Sequence, residues 1–108
     1  MDTSPFLNMA LDALWIKFLP QMEERVAALE TASRALASGK LTDSERAEAN
    51  TAAHKLAGTL GTFGLTKGTV LAREAELIYS GELETDPDAA SRLEEIASQL
   101  KTIVQSRK

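Results

Sequence analysis

Apolar side chains recur every three or four residues through four segments of the chain, with polar side chains between them. This spacing is the period of an α-helix that buries one face. No segment has the alternating, β-branched character of a strand. The predicted helices span about residues 5–38, 43–63, 66–80 and 87–105. Because the connections are short, we expect an all-α fold, an antiparallel four-helix bundle forming a single domain over residues 1–108.

The first segment predicts one long helix, kinked near Pro20. Its apolar positions keep a single phase through the proline, which two independent helices would have no reason to do: Leu11, Trp15, Phe18, Met22, Val26, Leu29 and Leu36. The proline removes one backbone hydrogen bond and crowds the preceding turn, so a kink is expected there. At about 1.5 Å per residue such a helix spans roughly 50 Å. Its first half should therefore overhang the bundle or fold over its end.

The other three segments supply shorter apolar lines. The second helix uses Ala49, Ala53, Leu56, Leu60 and Phe63; the third uses Val70, Leu71, Leu77 and Ile78; the fourth uses Leu93, Ile96, Leu100, Ile103 and Val104. Glu74 lies in the middle of the third line. Either it is half-buried beside a partner, or the apolar face of that helix is narrower than this line.

Start and stop signals delimit these helices. Ser4-Pro5 is typical of an N-cap followed by proline at the first helical position, and Thr42 with Glu45 forms a capping-box pattern. The acids of Asp86-Pro87-Asp88 suit the positive end of a helix dipole. Glycines follow the first three segments, where left-handed caps are expected: Gly39, Gly64 and Gly81.

Composition narrows the range of functions. The 108 residues are 44% hydrophobic and 26% charged, as in ordinary globular domains, and the net charge of −4 argues against nucleic-acid binding. Absence of cysteine excludes thiol nucleophiles and zinc–thiolate sites, and a single histidine excludes most His/Cys metal clusters. No apolar run approaches the ~20 residues needed to cross a bilayer, and Asp2 without a basic region argues against a signal peptide. We therefore expect a cytoplasmic protein without membrane insertion.

The single histidine, His54, stands on an unusual face of the second helix. On a helical wheel it lies roughly 140° from the centre of the apolar line, on the solvent side. Its helical neighbours are all small: Ala47, Asn50, Thr51, Ala57, Gly58 and Gly61. A surface face normally carries long charged side chains, and each glycine inside a helix costs about 1 kcal/mol relative to alanine. The small face therefore predicts close approach of another protein's surface to the imidazole.

An exposed, solitary histidine has few chemical roles. No serine or cysteine nucleophile lies beside His54 and no acid is assigned to orient it, so a catalytic triad is unsupported. Thr51 stands where a carboxylate di-metal bundle would need a glutamate. A neutral imidazole with a free ring nitrogen is a good nucleophile, and phosphoryl transfer needs mainly positioning and charge stabilisation.

Ala53-His54-x-Leu56-x-Gly58, followed by Phe63-Gly64, resembles the signature of histidine-containing phosphotransfer (HPt) domains of two-component phosphorelays. The chain length, the four-helix architecture and the position of the histidine on the second helix are also similar. The resemblance implies a phosphocarrier and not an enzyme. His54 would be the phosphoacceptor, exchanging a phosphoryl group with the aspartate of a receiver domain in a response regulator or hybrid sensor kinase. It implies no cofactor in this chain, with Mg²⁺ on the receiver domain.

The resemblance also assigns the surroundings of the phosphoryl group, with one departure. Gly58 matches the small residue that leaves room for phosphate. The family often carries a lysine three residues after the histidine, where this chain has Ala57, so Lys55 and Lys67 are the candidate cations. The expected receiver-docking face comprises Ala47, Asn50, Thr51, Ala57 and Gly61.

Two other interpretations remain. In a non-catalytic helical docking module, His54 would be incidental and the apolar overhang around Leu7, Leu11 and Trp15 would bind the partner. The dimerisation domain of a histidine kinase usually has an acidic residue directly after the histidine, whereas this chain has Lys55. The sequence also lacks a nucleotide-binding region, so self-phosphorylation from ATP is not expected.

Overall fold

The computed structural model of the protein describes residues 5–81 and 86–107. Four helices occupy most of this part of the chain, and it contains no strand: α1 (Pro5–Ala37), α2 (Asp43–Thr62), α3 (Thr66–Ile78) and α4 (Ala89–Ser106). Each helix packs on the next, and α4 returns to pack on α1. Asn50 bonds to Glu76 while Ala57 bonds to Thr69, so α2 and α3 run antiparallel. The predicted all-α four-helix bundle is confirmed.

The core follows the predicted apolar lines of α1, α2 and α4. Their central members are almost fully buried: Trp15, Met22, Val26, Leu29, Ala49, Ala53, Leu56, Leu60, Leu93, Ile96, Leu100 and Val104. The outer members lie half-buried at the edge of the core: Leu11, Phe18, Leu36, Phe63 and Ile103. Large apolar side chains at helical spacing were sufficient to identify these three faces.

The predicted line of α3 is wrong at two positions. Val70 is 59% exposed and Leu77 is 48% exposed. The other two predicted positions, Leu71 and Ile78, are buried. The rest of the buried face of α3 consists of small residues: Gly68, Ala72 and Ala75. Small residues are needed because α3 lies close to α2. A Cβ atom added at Gly68 would lie 2.9 Å from Leu60 Cδ1, closer than real side chains approach.

Glu74 is half-buried beside a partner, as the first of its two interpretations expected. Arg92 of α4 donates from Nε to Glu74 Oε2 at 2.5 Å and from Nη2 to Glu74 Oε1 at 2.6 Å. Its third nitrogen donates to Glu95 Oε1 at 2.8 Å. The guanidinium hydrogen bond lowers the pKa of Glu74, although partial burial opposes this shift. The two carboxylates raise the pKa of Arg92, again chiefly through the Glu74 hydrogen bond.

This ion pair predicts an acid-dependent part of the stability. Because folding lowers the pKa of Glu74, its contribution is complete above the ordinary value of 4.5 and is lost as pH falls below it. We expect Glu74→Gln to unfold at lower urea concentration than the wild type at pH 7, with the difference shrinking below about pH 4. The effect should be small, because both side chains are 36% exposed. Glu94→Gln, on the exposed face of α4, is the control and should show no such pH-dependent difference.

Several predicted helix boundaries have the expected local chemistry. The Thr42–Glu45 capping box is present, with each side chain bonding the other residue's backbone N–H. The three glycine caps all have positive φ: 71° at Gly39, 72° at Gly64 and 99° at Gly81. Ser4, the predicted first cap, lies outside the described residues. Helix α4 begins at Ala89, two residues after its predicted start. Residues 86–88 form a turn instead, in which Asp86 Oδ1 accepts a hydrogen bond from the Asp88 N–H.

Helix α1 is the longest element, with 33 residues and no interruption at Pro20. The kink predicted there stays a prediction. The molecule extends 49 Å along its longest axis, and the N-terminal half of α1 exposes Leu7, Met9, Leu14 and Ile16. Among the described residues, no helix combines the length and apolar character required to cross a membrane.

Trp15 does not belong to the exposed overhang, contrary to the docking-module interpretation. It is 2% exposed and packs edge-on against Phe63 of α2, with ring centroids 5.0 Å apart. The guanidinium of Arg107 lies 5.0 Å from the Trp15 ring and 5.2 Å from the Phe63 ring, and donates to Asp12 at 3.2 Å. This cluster joins the N-terminal half of α1 to the ends of α2 and α4.

Candidate functional site

His54 lies in the middle of α2, with 68% of its side-chain surface exposed. The helix turns that precede and follow it are held by the buried Ala53 and Leu56, which are fully inaccessible. The imidazole is therefore presented to solvent from a rigid, well-packed helix. This is the placement that the helical wheel predicts.

A carboxylate from the neighbouring helix holds one edge of the imidazole. His54 Nδ1 lies 2.8 Å from Oε2 of Glu76, near the end of α3. The backbone of Glu76 is itself fixed to α2, because Asn50 Nδ2 donates to its carbonyl oxygen at 2.8 Å. The sequence analysis assigned no orienting acid to His54 and missed this residue. In two antiparallel helices, residues equally far before and after the connecting turn lie at the same level. Counted from Gly64, this rule would have placed Glu76 within one helical turn of His54.

The Glu76 contact defines the chemistry of the ring. A carboxylate can only accept a hydrogen bond, so it selects the tautomer in which Nδ1 carries the proton. Nε2 is then left with a free lone pair. The two nitrogens lie on opposite edges of the ring, so holding Nδ1 toward α3 directs Nε2 away from that helix. An imidazole in this tautomer is chemically able to act as a nucleophile at Nε2.

An open groove of about 590 Å³ lies beside His54, between α1 and α2. Helix α2 contributes His54, Lys55, Gly58, Thr59, Thr62 and Phe63, and α1 contributes Phe18, Gln21 and Arg25. Lys55 and Gly58, two of the three residues expected around a phosphoryl group, therefore share a surface with the imidazole. The structure does not bring Lys67 into this groove, because it lies beyond the α2–α3 turn at the start of α3. Gln21 and Arg25 were missed, since helical periodicity does not show which helix borders His54.

Some residues of the expected docking face are exposed to solvent, whereas others contact α3. Ala47 and Thr51 are exposed and line an adjacent groove. Asn50, half-buried, is engaged with α3.

Ala57 was wrong as a docking residue. It is 1% exposed and lies against α3, where Thr69 Oγ1 donates to its carbonyl oxygen at 3.2 Å. Gly61 is exposed, but an added Cβ would lie 3.4 Å from Thr69 Oγ1, so it too borders α3. An added Cβ at Gly58, in contrast, meets no atom of the described residues within 4 Å. Packing between helices accounts for Ala57 and partly for Gly61, whereas Gly58 alone of the three faces open space.

Comparison with known proteins agrees with this architecture. The Hpt domain family matches residues 13–103. Protein RcaC of Microchaete diplosiphon is 34% identical over 91 residues, which cover 84% of this chain but only 14% of RcaC. No solved structure matches significantly. The chain therefore belongs to the Hpt domain family, the histidine phosphotransfer domains of two-component phosphorelays.

Proposed function

We propose that this domain is a phosphorelay intermediate in which Nε2 of His54 accepts a phosphoryl group from the aspartate of a receiver domain and passes it on. One observation carries the proposal: the exposed imidazole has Nδ1 engaged by Glu76 and Nε2 free. The groove beside it supports the assignment, since it offers space and positive charge and, among the described residues, no carboxylate lines it. The donor or acceptor is a receiver of a response regulator or hybrid sensor kinase.

The transfer step exchanges one bond to phosphorus for another. The Nε2 lone pair attacks the phosphorus of the aspartyl phosphate in line with the bond to the aspartate oxygen. The N–P bond forms, the P–O bond breaks, and its electron pair returns to the aspartate carboxylate. The imidazole gains positive charge in this step, which the Glu76 carboxylate stabilises through the proton on Nδ1. The reverse sequence returns the group to a receiver, so the domain is a carrier and consumes no ATP.

The direct test is phosphorylation by a partner. The domain is mixed with a receiver domain carrying radiolabelled aspartyl phosphate, and the label is followed on a gel. We expect acid-labile, base-stable label on this chain, with mass spectrometry placing it on His54. Label on any other residue, or none with a panel of receivers that phosphorylate other Hpt domains, contradicts the proposal.

Glu76 should affect the rate of transfer more than the stability. Glu76→Ala removes the acceptor for Nδ1–H, so the ring samples the wrong tautomer and orientation. We expect transfer to slow by roughly tenfold, about 1.4 kcal/mol in the barrier. Glu76→Gln keeps an oxygen that can accept this hydrogen bond and should recover part of the rate. Stopped-flow measurement of receiver dephosphorylation provides the rates, and equal rates for all three proteins would show that Glu76 does not orient His54.

Gly58 should limit stability and permit transfer. An added methyl meets open space, so Gly58→Ala should raise the free energy of unfolding by about 0.5–1 kcal/mol, because glycine is a poor helix former. Gly58→Leu should fold as well but obstruct the approach of the phosphorylated aspartate to the imidazole. We expect it to reduce transfer at least about tenfold. Normal transfer by folded Gly58→Leu would mean that the receiver does not approach over this part of α2.

A further inference from the structure

We propose that Arg25 of α1 makes the cationic contact with the phosphoryl group on His54. This inference rests on the proposed function. It assigns the phosphate-binding cation, which the resemblance to Hpt domains does not identify because Ala57 replaces the usual lysine. The position three residues after the histidine holds Ala57, which is buried and uncharged. A cation on this chain that contacts the phosphoryl group therefore has to come from another position.

The orientation of the imidazole determines on which side of α2 the phosphoryl group, and hence its cationic partner, lies. Glu76 holds Nδ1 toward α3, so a phosphoryl group on Nε2 projects from the opposite edge of the ring. The groove on which His54 borders is closed on its far side by α1, through Phe18, Gln21 and Arg25. These three residues are spaced by three and four positions, so they form one face of α1. Arg25 is the cation of that face.

Charge in the groove is one-sided. The whole chain carries a net charge of −4. Yet the described residues that line this groove include Arg25 and Lys55 and no aspartate or glutamate. Arg25 and Lys55 also line the neighbouring groove toward the start of α2, so they lie at the boundary between the two grooves. The acid found in that second groove is Glu48. A dianionic group is thus favoured on the His54 side of the boundary.

Arg25 has the state and shape that a phosphate ligand requires. Within residues 5–81 and 86–107, no carboxylate forms an ion pair with Arg25. The same holds for Arg34 and Arg73, but neither of these lines the groove beside His54. Arg25 is half-buried and lines the groove. A guanidinium can donate two parallel hydrogen bonds to phosphate oxygens, which an ammonium cannot.

The two lysines are less well placed. Lys55 follows His54 directly, and adjacent residues of a helix diverge by about 100°. It can add positive charge at the edge of the groove. Lys67 lies at the start of α3, on the side from which Nε2 is directed away, and does not line the groove. It is therefore the matched control, an exposed cation near the same helix pair.

The test measures the phosphoryl group itself. Wild type, Arg25→Gln, Arg25→Lys and Lys67→Gln are phosphorylated on His54 with phosphoramidate, a small donor that needs no receiver docking. The ³¹P resonance is then followed with pH. A nearby cation favours the dianion, so Arg25→Gln should raise the pKa of the phosphoryl group by roughly half a unit. Lys67→Gln should leave it unchanged, and Arg25→Lys should lie between wild type and Arg25→Gln.

A second readout follows transfer from a phosphorylated receiver. We expect Arg25→Gln to be about three- to tenfold slower than wild type and Lys67→Gln to be unaffected. Unchanged phosphoryl pKa and rate in Arg25→Gln, or a larger change in Lys67→Gln, would overturn the inference. Absence of label on wild-type His54 from every receiver and from phosphoramidate would instead contradict the proposed function. Circular dichroism checks that each variant is folded. If Arg25→Gln does not fold, Arg25→Lys, which retains the positive charge, is compared with the wild type in the same two measurements.

Discussion

His54→Gln is expected to abolish phosphoryl transfer while leaving the free energy of unfolding within about 0.5 kcal/mol of wild type. Glutamine lacks the nucleophilic ring nitrogen, and the chain has no cysteine and no second histidine to replace it. Stability should be nearly unchanged because 68% of the His54 side chain is exposed. Receiver binding should persist, since the surrounding surface is intact. Labelling by a phosphorylated receiver, urea denaturation and a binding titration measure the three properties on the same sample.

The combination of results separates the alternatives. A docking module in which His54 is incidental predicts no functional loss in His54→Gln. Loss of both binding and label would show that the histidine belongs to the contact surface. Labelling by a receiver then no longer tests its role as acceptor, because the receiver does not bind. In that case phosphoramidate, which requires no binding partner, decides: wild type should be labelled and the variant should not.

Trp15→Ala should cause the largest loss of stability of any single change discussed above. Its indole is 2% exposed, contacts Phe63 edge-on and lies under the Arg107 guanidinium. Truncation of a buried tryptophan to alanine costs about 3–5 kcal/mol, a large part of the stability of a small domain. We expect the melting temperature to fall by about 15 °C. Calorimetry and urea denaturation both measure this effect.

Ile16→Ala is the matched control for Trp15→Ala. Ile16 is the next residue of α1 but is 70% exposed, so its truncation should change the free energy of unfolding by no more than about 0.5 kcal/mol. Similar losses for the two variants would mean that the N-terminal half of α1 does not pack on α2 and α4 in solution. The comparison therefore tests the position of this half of the helix as well as the energy of one side chain.

The fold was predictable wherever large apolar residues mark the buried face. In α4, Leu93, Ile96 and Leu100 repeat at helical spacing, and all three are buried. In α3 the same reasoning selected Val70 and Leu77, which are exposed. A face built on glycine and alanine gives a weak periodic signal, because these residues also occur on surfaces. The need for Gly68 becomes visible only when the distance between α2 and α3 is known.

The site was predictable as far as a single helix determines it. The exposure of His54 and the openness at Gly58 follow from their positions on α2. Glu76 and Arg25 belong to other helices, and their proximity to His54 depends on how α3 and α1 pack on α2. Ala57 shows the converse error: a residue on the His54 side of the wheel is covered by a neighbouring helix. Periodicity describes one helix at a time and does not contain this information.

The hydrogen bond between His54 and Glu76 has a further consequence for the identity of the product. Histidine can be phosphorylated at either ring nitrogen, which gives two regioisomers with distinct ¹⁵N and ³¹P spectra. Because Glu76 occupies Nδ1, the wild-type protein should form only the Nε2 isomer, even with a small donor that imposes no direction of approach. Without the carboxylate, as in Glu76→Ala, both isomers should form. The regiochemistry of the modification would then be a property of the bundle, set before any receiver domain binds.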